Sequence, residues 1–444
     1  MIRCNSGADS TVWMEEAEHT YDAFVSPWFM PGRFLCRLNV RASKCEASPH
    51  HQNVRYDEQF RRWKRMSDHM NSCHEEYMRR AIRLAEKGRG FVNPNPMVGA
   101  VIVKDGRVIG EGWHTVYGSL HAEREAIKNL TESPDGADIY VTLEPCCHTG
   151  KQPPCTEAIV ESGIKRVFIG SYDPNPLVSG KGTAYLREHG ITVTEGVCRE
   201  ECDRLNPVFF KYITKKMPYI TYKYAMSMDG KTACVSGDAK WISNEMSRDM
   251  VQDMRGEHMA IMAGIGTVLI DDPLLTVRKK GLRQPVRIIL DSRLRIPMNS
   301  KLVETAGEFP LRIVMAEVTE SADVSEIKEK ISQLEKLGIR VIEVPEKDGH
   351  LSLPAAMKKI AEEGIDSILL EGGGTLAWNM MREGLVDEVR VFLAPKILGG
   401  KDAPSPVGGA GALSPNNAFG FTPVGIERVG EDIYVRYMHV HRDN

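Results

Sequence analysis

Cys146, Cys147 and Cys155 fall within ten positions of one another, with His148 among them and Pro145, Pro153 and Pro154 around them. Shortly upstream stands His121-Ala122-Glu123. Two thiolates and an imidazole make a three-ligand set for Zn²⁺ and leave the fourth tetrahedral position open to water. Zinc lowers the pKa of such a water to ~7, and a nearby carboxylate can then carry its proton. A cysteine at a helix start gains further, because the positive end of the helix dipole favours the thiolate. Spacing alone leaves the set open. Positions i and i+2 of a helix point ~200° apart, so His121 and Glu123 reach one ion only where the helix begins between them. The alternative is a closed, non-catalytic knuckle of Cys146, Cys147, Cys155 and His148, although closed sites usually pair ligands as C-x₂₋₄-C.

A second candidate is Glu371-Gly372-Gly373-Gly374-Thr375, which follows an apolar run and precedes a helical pattern. Glycines at such a junction let the backbone approach a phosphate, and the helix start offers unpaired N–H groups. The stretch is not G-x-G-x-x-G, and Gly-rich turns also arise for steric reasons alone.

The elements that must position these residues read as alternating strands and helices. Apolar alternation on either side of Asp105-Gly106 predicts a tight hairpin. Helices are expected at 121–130, 155–163 and 182–190, with strands at 138–145, 165–170 and 191–196. A second unit opens near Met217, with strands at 219–230, 258–264, 286–291, 311–317, 340–345, 366–373 and 388–395. The pattern is α/β. The first helix signal is the capping-box pattern Ser72-x-x-Glu75, so residues 1–70 read as a disordered extension or mis-assigned start. The domains are then 71–215 and 216–444. The Gly/Pro/Ser-rich stretch 399–417 is expected to be a mobile loop.

Composition bounds the partners. The chain has 444 residues, 42% hydrophobic and 26% charged, with formal net charge −3. That suits a soluble protein with room for two domains and gives no basic stripe for nucleic acid. Apolar runs stop short of the ~18–20 residues that span a bilayer, and no signal-peptide pattern opens the chain. No nucleic-acid or membrane partner is expected, and the expected compartment is cytoplasmic. Ten cysteines are too sparse here for a disulfide framework. Those outside the cluster read as ordinary thiols, although Cys198 and Cys202 could share a helix face.

The motif His121-Ala122-Glu123 with Pro145-Cys146 resembles the H-x-E and P-C-x-x-C signature of zinc-dependent nucleobase deaminases. It departs in placing eight residues between Cys146 and Cys155. NPNPMVGAV, HAE, TLEPCCHTGKQPPC and DPNP together resemble the deaminase half of the bifunctional riboflavin-biosynthesis deaminase/reductase family. YKYAMSMDGK, SGDAKWIS, MRGEHMAIMAGIGTVLIDDPLLTVR and LLEGGG resemble its reductase half. The likeness covers 71–444.

That resemblance implies a cytidine-deaminase-like three-layer α/β domain followed by a dihydrofolate-reductase-like α/β domain. It implies His121, Cys146 and Cys155 as zinc ligands and Glu123 as the proton shuttle. Asn95, His114, His148 and Lys151 are then expected beside the pyrimidine or its ribose phosphate, and Cys147 falls where the family more often has Ser. Ala225, Trp241, Thr267, Asp271, Gly373, Gly374 and Thr375 are expected beside NADPH. Arg255, Leu275, Arg278 and Glu371 are expected beside substrate, and Ala239 stands where a relative can use Ser. Arg255 and Arg278 suit a phosphate, which guanidinium grips as a fork. Lys223 and Asp229 either serve the ribityl hydroxyls and proton transfer or are a strand-end ion pair and a turn residue.

The implied activity is zinc-dependent hydrolytic deamination of 2,5-diamino-6-ribosylamino-4(3H)-pyrimidinone 5′-phosphate. NADPH then reduces the ribosyl side chain to ribityl, giving 5-amino-6-(5-phosphoribitylamino)uracil. A homo-oligomer is expected, as in related enzymes. NADPH over NADH rests on the resemblance, because no residue is identified to hold a 2′-phosphate. The rival readings are a deaminase of tRNA or free nucleosides and a non-catalytic zinc- and nucleotide-binding regulator, in which Glu123 would have no purpose.

Overall fold

The computed structural model describes residues 72–150, 152–318 and 324–439. These all belong to one compact unit, Lys64–Asn444. The expectations for residues 1–70 and for Lys151 lie outside the described residues.

Helix α1 covers 72–85 and runs into the single turn Glu86–Gly88. Ser72 is already helical, which corrects the expectation of a cap at that position. Strands β1 (Gly99–Lys104) and β2 (Arg107–Trp113) form the expected hairpin. Asp105 and Gly106 have φ of 49° and 74°, and two left-handed central residues match the right-handed twist of the strands they join. The elements α2 (Ala122–Lys128), β3 (Asp138–Leu143), α3 (Cys155–Glu161), β4 (Arg166–Ser171), α4 (Lys181–Glu188) and β5 (Thr192–Glu195) follow. The sheet order is β2-β1-β3-β4-β5, antiparallel on both sides of β1 and parallel from β3 to β5.

Successive strand residues point to opposite faces, and here both faces are apolar. Ala100, Ile102, Ile139, Val141, Val167 and Ile169 pack with Ala122, Ala126, Ile159 and Leu186 from α2, α3 and α4. The intervening Val101, Val103, Tyr140 and Phe168 meet Met78, Ala81 and Leu84 of α1. Cys202, from the short helix α5 (Arg199–Asp203), is buried in that same cluster. The result is the expected three layers.

Helix α6 (Pro207–Lys215) leads to a larger sheet. Its elements are β6 (Tyr219–Ser227), α7 (Glu245–Glu257), β7 (Ala260–Gly264), α8 (Ile265–Asp271), β8 (Val286–Leu290), α9 (Lys301–Glu304), β9 (Leu311–Ala316), α10 (Val324–Lys336) and β10 (Arg340–Val344). A small hairpin, β11 (Glu346–Lys347) and β12 (His350–Leu351), precedes α11 (Leu353–Glu362), β13 (Ser367–Glu371), α12 (Gly374–Arg382), β14 (Glu388–Ala394), β15 (Phe421–Val429) and β16 (Asp432–His439). The order is β10-β9-β8-β7-β13-β6-β14-β16-β15, parallel up to β14 and antiparallel beyond. One face buries Ile220, Met262, Ile288, Val314, Ile368 and Leu370 under α11 and α12. The other buries Ile261, Ile289, Ile313 and Leu369 under α7 to α10. The chain walks outward from β7 to β10, then returns to slot β13 between β7 and β6, which makes β13 the topological switch. In open α/β sheets, ligands bind beyond the strand carboxyl ends at such a point.

The two sheets are tied together through polar contacts. Asn93 Nδ2 donates to Asp366 Oδ2 at 2.7 Å, Lys211 Nζ to Asp387 Oδ2 at 2.6 Å, and the Tyr212 hydroxyl to the Ala361 carbonyl at 3.1 Å. The stretch 399–417 is irregular as expected, but it is anchored: Thr232 N donates to the Pro404 carbonyl at 2.9 Å and Gly408 N to the Gly374 carbonyl at 3.0 Å. Strands β15 and β16 and the β11–β12 hairpin were not anticipated.

Candidate active sites

Helix α2 begins at Ala122, with His121 extended at its cap (φ −71°, ψ 161°). The break in helical geometry falls between His121 and Glu123, and it removes the ~200° divergence that an unbroken helix would impose. Cys155 is the first residue of α3. His121 Nδ1 lies 3.5 Å from Cys146 Sγ and 3.4 Å from Cys155 Sγ. A tetrahedral zinc with ordinary Zn–S and Zn–N bonds sets such pairs about 3.6 Å apart. All three ligand atoms lie within 4.8 Å of one another, so this donor set fits the ion.

The electrostatics agree. A hydrogen bond from Cys155, together with one from His121, pulls the Cys146 thiol down to about 4. The same partnership pushes Cys155 upward, and as zinc ligands both sulfurs must be thiolates. Glu123 is buried, and burial raises its carboxyl pKa, with the Cys146 charge adding to the effect.

A cleft of about 230 Å³ opens beside this cluster, lined by Asn95, His114, His121, Glu123, Cys146 and His148 among others. His114 is buried and its pKa is lowered by that burial. It is therefore neutral, with Nδ1 donating to the Leu120 carbonyl at 3.0 Å and Nε2 accepting from Asn95 Nδ2 at 3.1 Å. His148 Nδ1 is buried without a hydrogen-bond partner among the described residues, and a polar ligand would satisfy it. Cys147 Sγ is directed to the Leu177 carbonyl at 3.9 Å and stands outside the metal-capable cluster, which disfavours the closed knuckle.

Glu144, Asp173 and Asn175 also line the cleft, and the sequence reading gave them no role. Asp173 accepts from Asn175 N at 2.8 Å, and burial pushes its carboxyl up to about 6. The signal was in view, because Asp173-Pro174-Asn175-Pro176 was one of the motifs that carried the resemblance.

A second cleft lies beyond the carboxyl ends of β6, β7, β8 and β13. It has a larger lobe of about 660 Å³ and a smaller one of about 310 Å³, both lined by Thr232, Thr267, Asp271 and Gly372 to Gly374. Thr375 and Ala239 line the larger lobe; Ala225, Arg255, Leu275 and Glu371 line the smaller. Trp241 and Arg278 line neither. Trp241 is exposed with the Arg248 guanidinium 4.4 Å above its ring, and Arg278 is exposed.

The glycine loop fits a nucleotide phosphate. Gly372 has φ +90°, and a Cβ there would sit 2.9 Å from Thr267 Oγ1. Gly373 caps α12 at φ 81° with no side-chain hydrogen bond, so the helix's first N–H groups stay open to an anion.

The charged residues near this cleft have partners within the chain. Arg255 grips Glu371 through Nε (2.7 Å) and Nη2 (3.0 Å), while Nη1 donates to the Thr276 carbonyl at 2.8 Å. Its fork is occupied by a carboxylate, not held free for a phosphate. Lys223 Nζ joins the same Glu371 at 3.0 Å, the strand-end ion pair. Burial alone would raise the Glu371 carboxyl; Arg255 and Lys223 override it and hold it well below the usual range. Asp229 is the turn residue, accepting from Ser227 Oγ at 2.6 Å and from Leu398 N and Gly399 N at 3.1 and 2.7 Å.

Residues 71–171 match the cytidine and deoxycytidylate deaminase zinc-binding region, and residues 218–435 match the RibD C-terminal domain. The riboflavin biosynthesis protein RibD of Actinobacillus pleuropneumoniae is 47% identical over 363 residues, covering 82% of this chain and 94% of that protein. The chain belongs to the RibD family. RibD of Acinetobacter baumannii superposes with a TM-score of 0.74 at 35% identity, over 84% of this chain and 100% of that one. A Thermotoga maritima structure, described as a diaminohydroxyphosphoribosylaminopyrimidine deaminase/5-amino-6-(5-phosphoribosylamino)uracil reductase, gives 0.69 at 39% identity, over the same shares. As a RibD chain, this protein is a bifunctional riboflavin-biosynthesis enzyme that joins a zinc deaminase domain to an NADPH-dependent reductase domain. Among the described residues, no helix is long and apolar enough to cross a membrane.

Proposed function

We propose that residues 71–215 hydrolyse the amino group of 2,5-diamino-6-ribosylamino-4(3H)-pyrimidinone 5′-phosphate and residues 216–444 reduce the deaminated ribosyl side chain to ribityl. The observation that carries the deaminase reading is the meeting of His121, Cys146 and Cys155 with buried Glu123 in one cleft. Zinc held by those three residues supplies a Lewis acid that activates water at neutral pH. Glu123 takes the proton and delivers it to the departing amine, a task suited to a carboxyl whose pKa burial has raised. His114 fixes the Asn95 amide, which leaves Asn95 Oδ1 to read a pyrimidine N–H, while His148 donates to the ribose phosphate. Lys151 is proposed beside that phosphate.

In the reductase half NADPH supplies the hydride. The protein's part is positioning: Gly373, Gly374 and Thr375 receive the pyrophosphate, with Ala225, Thr267 and Asp271 along the nucleotide and Trp241 at its edge. Leu275 and Glu371 flank the substrate. Arg278, exposed and paired to no carboxylate among the described residues, keeps its guanidinium free for the substrate phosphate, while Arg255 lines the smaller lobe with its fork on Glu371. The described cysteines are free thiols, which suits a reducing cytoplasm. A homo-oligomer is supported by exposed Val424 and Ile426 on edge strand β15, because long apolar edges in soluble proteins call for cover.

The test is to incubate zinc-loaded protein with the diamino-pyrimidinone phosphate, with and without NADPH, and follow mass. Loss of the amino group without NADPH, then gain of two hydrogens with it, is the expected result. No change with zinc bound would favour the nucleoside-deaminase reading.

A further inference from the structure

Asn95, which lines the deaminase cleft, sits on the irregular stretch between α1 and β1. Its N–H donates to the Val92 carbonyl at 2.9 Å, closing a turn with Asn93 inside it. A turn with no ladder around it opens at low cost unless side chains tie it down.

Two of the ties come from the reductase half. Asn93 Nδ2 donates to Asp366 Oδ2 at 2.7 Å, and Asp366 immediately precedes β13 of the larger sheet. Asp366 is buried. Its other oxygen accepts from Ser367 Oγ at 2.6 Å, and Ser367 Oγ in turn accepts from Met259 N at 3.0 Å, so the carboxyl is fixed in orientation. Gly90 packs so close to α7 that a Cβ there would sit 2.9 Å from the Gly256 carbonyl. A third tie comes from Asn206, the cap of α6, whose amide accepts from Met97 N at 2.8 Å and donates to the Met97 carbonyl at 2.9 Å.

Packing alone does not wedge the turn in place. A cavity of about 90 Å³ lies against it, lined by Asn93, Asn95, Met97, Asn206 and Asp366 among others, which gives the turn space to move into. Asp366 lines neither lobe of the reductase cleft. It stands at the amino end of β13, whose carboxyl end carries Glu371, ~16 Å away at the usual rise per residue.

We propose that Asp366 is a positioning residue for deamination: through Asn93 it sets Asn95 against the pyrimidine, so that the reductase half completes the substrate site of the other half. This rests on the reading of Asn95 as a pyrimidine contact. A buried polar group left without its partner is costly, so the folded reductase half keeps Asn93, and with it the turn, in one place.

The test measures KM and kcat for deamination of the diamino-pyrimidinone phosphate by the zinc-loaded full chain, with reduction of already deaminated substrate assayed separately. Asp366→Ala should raise the deamination KM by roughly 3- to 10-fold, the worth of one hydrogen bond. Its kcat, zinc content and reduction rate should be unchanged, because the lost contact is made equally in the ground and transition states. Asn93→Ala should do the same from the other side of the bond. The double variant should be no worse than the worse single, since two changes that cut one interaction do not add. Additive losses, or an unchanged KM in Asp366→Ala, overturn the proposal. Should Asp366→Ala lose reduction as well, the exchanged pair decides. Asn93→Asp sets two carboxyls together and should raise KM, and adding Asp366→Asn should restore it; failure to restore overturns the proposal. Unchanged deamination in Asn95→Ala overturns the pyrimidine-contact reading beneath it, whereas weakened deamination there with a silent Asp366→Ala overturns only the tie.

Discussion

In the deaminase cleft three side chains from two helix starts and a loop bring their donor atoms within 4.8 Å of one another. In the reductase cleft the stretch that lines both lobes is Gly372 to Gly374, which has no side chains. The first site depends on what its residues carry, the second on what they leave out. Chemistry that needs a metal and a proton carrier must be built from specific functional groups. Hydride transfer takes its reactivity from the nucleotide, and asks the protein for a shaped backbone and a few charges.

That contrast can be broken experimentally. The largest effect should come from stripping the metal: chelation should abolish deamination while reduction of already deaminated substrate continues, read by separate assays of the two steps. Parallel loss of both would show that the halves are not independent. Next, Glu123→Ala should lower the deamination rate by about 10²- to 10⁴-fold with zinc content unchanged by metal analysis. A loss of zinc instead would make Glu123 a support for the ligands.

On the reductase side, Glu371→Ala leaves Lys223 and Arg255 buried without their shared carboxylate, which should destabilise the domain by about 3–5 kcal/mol in denaturant unfolding. The pH dependence has a definite sign. The folded pKa of Glu371 lies below its ordinary value of 4.5. Its stabilisation is thus fully present above that value and is lost only as pH falls through the folded pKa. The stability gap between the unaltered chain and Glu371→Gln should stay flat from pH 8 down to about 5 and close only in stronger acid. Smallest of the set, Gly372→Ala meets both a positive φ and Thr267 Oγ1 at 2.9 Å. Strain of about 1–3 kcal/mol should weaken NADPH binding by roughly tenfold and spare deamination.

The same contrast governs what could be read from the sequence. His121, Cys146 and Cys155 announce themselves by residue type, and the order of motifs located both halves. The strands of both parallel regions were legible because they are buried on two faces and read as unbroken apolar runs. Strands β15 and β16 were not, since β15 is mostly exposed and interrupted by Pro423 and Gly425, and its pairing depends on partners the local sequence does not contain. The ion pair of Arg255 with Glu371 was not legible for a related reason. A guanidinium suits carboxylate and phosphate equally, and only the fold, by seating Glu371 against it, decides between them. Asp173 stood in a motif that was in view, but its burial in the cleft was not legible, because burial and adjacency arise from strand order, not from spacing along the chain.

The slot filled by β13 has a consequence for how the chain is made. Glu371 sits directly opposite Lys223 on β6, and β7 flanks β13 on the other side. Both neighbours leave the ribosome before β8 to β10 and α10 and α11 have been synthesised. Until β13 emerges, the nascent chain holds two sheet edges with a vacant place between them, the kind of exposed edge that invites wrong pairing. The Lys223–Glu371 pair then acts as a registration mark: a slip of one residue would turn Glu371 to the opposite face and strand two buried cations. Translation that stops in α11 would release a reductase domain with its middle strand missing.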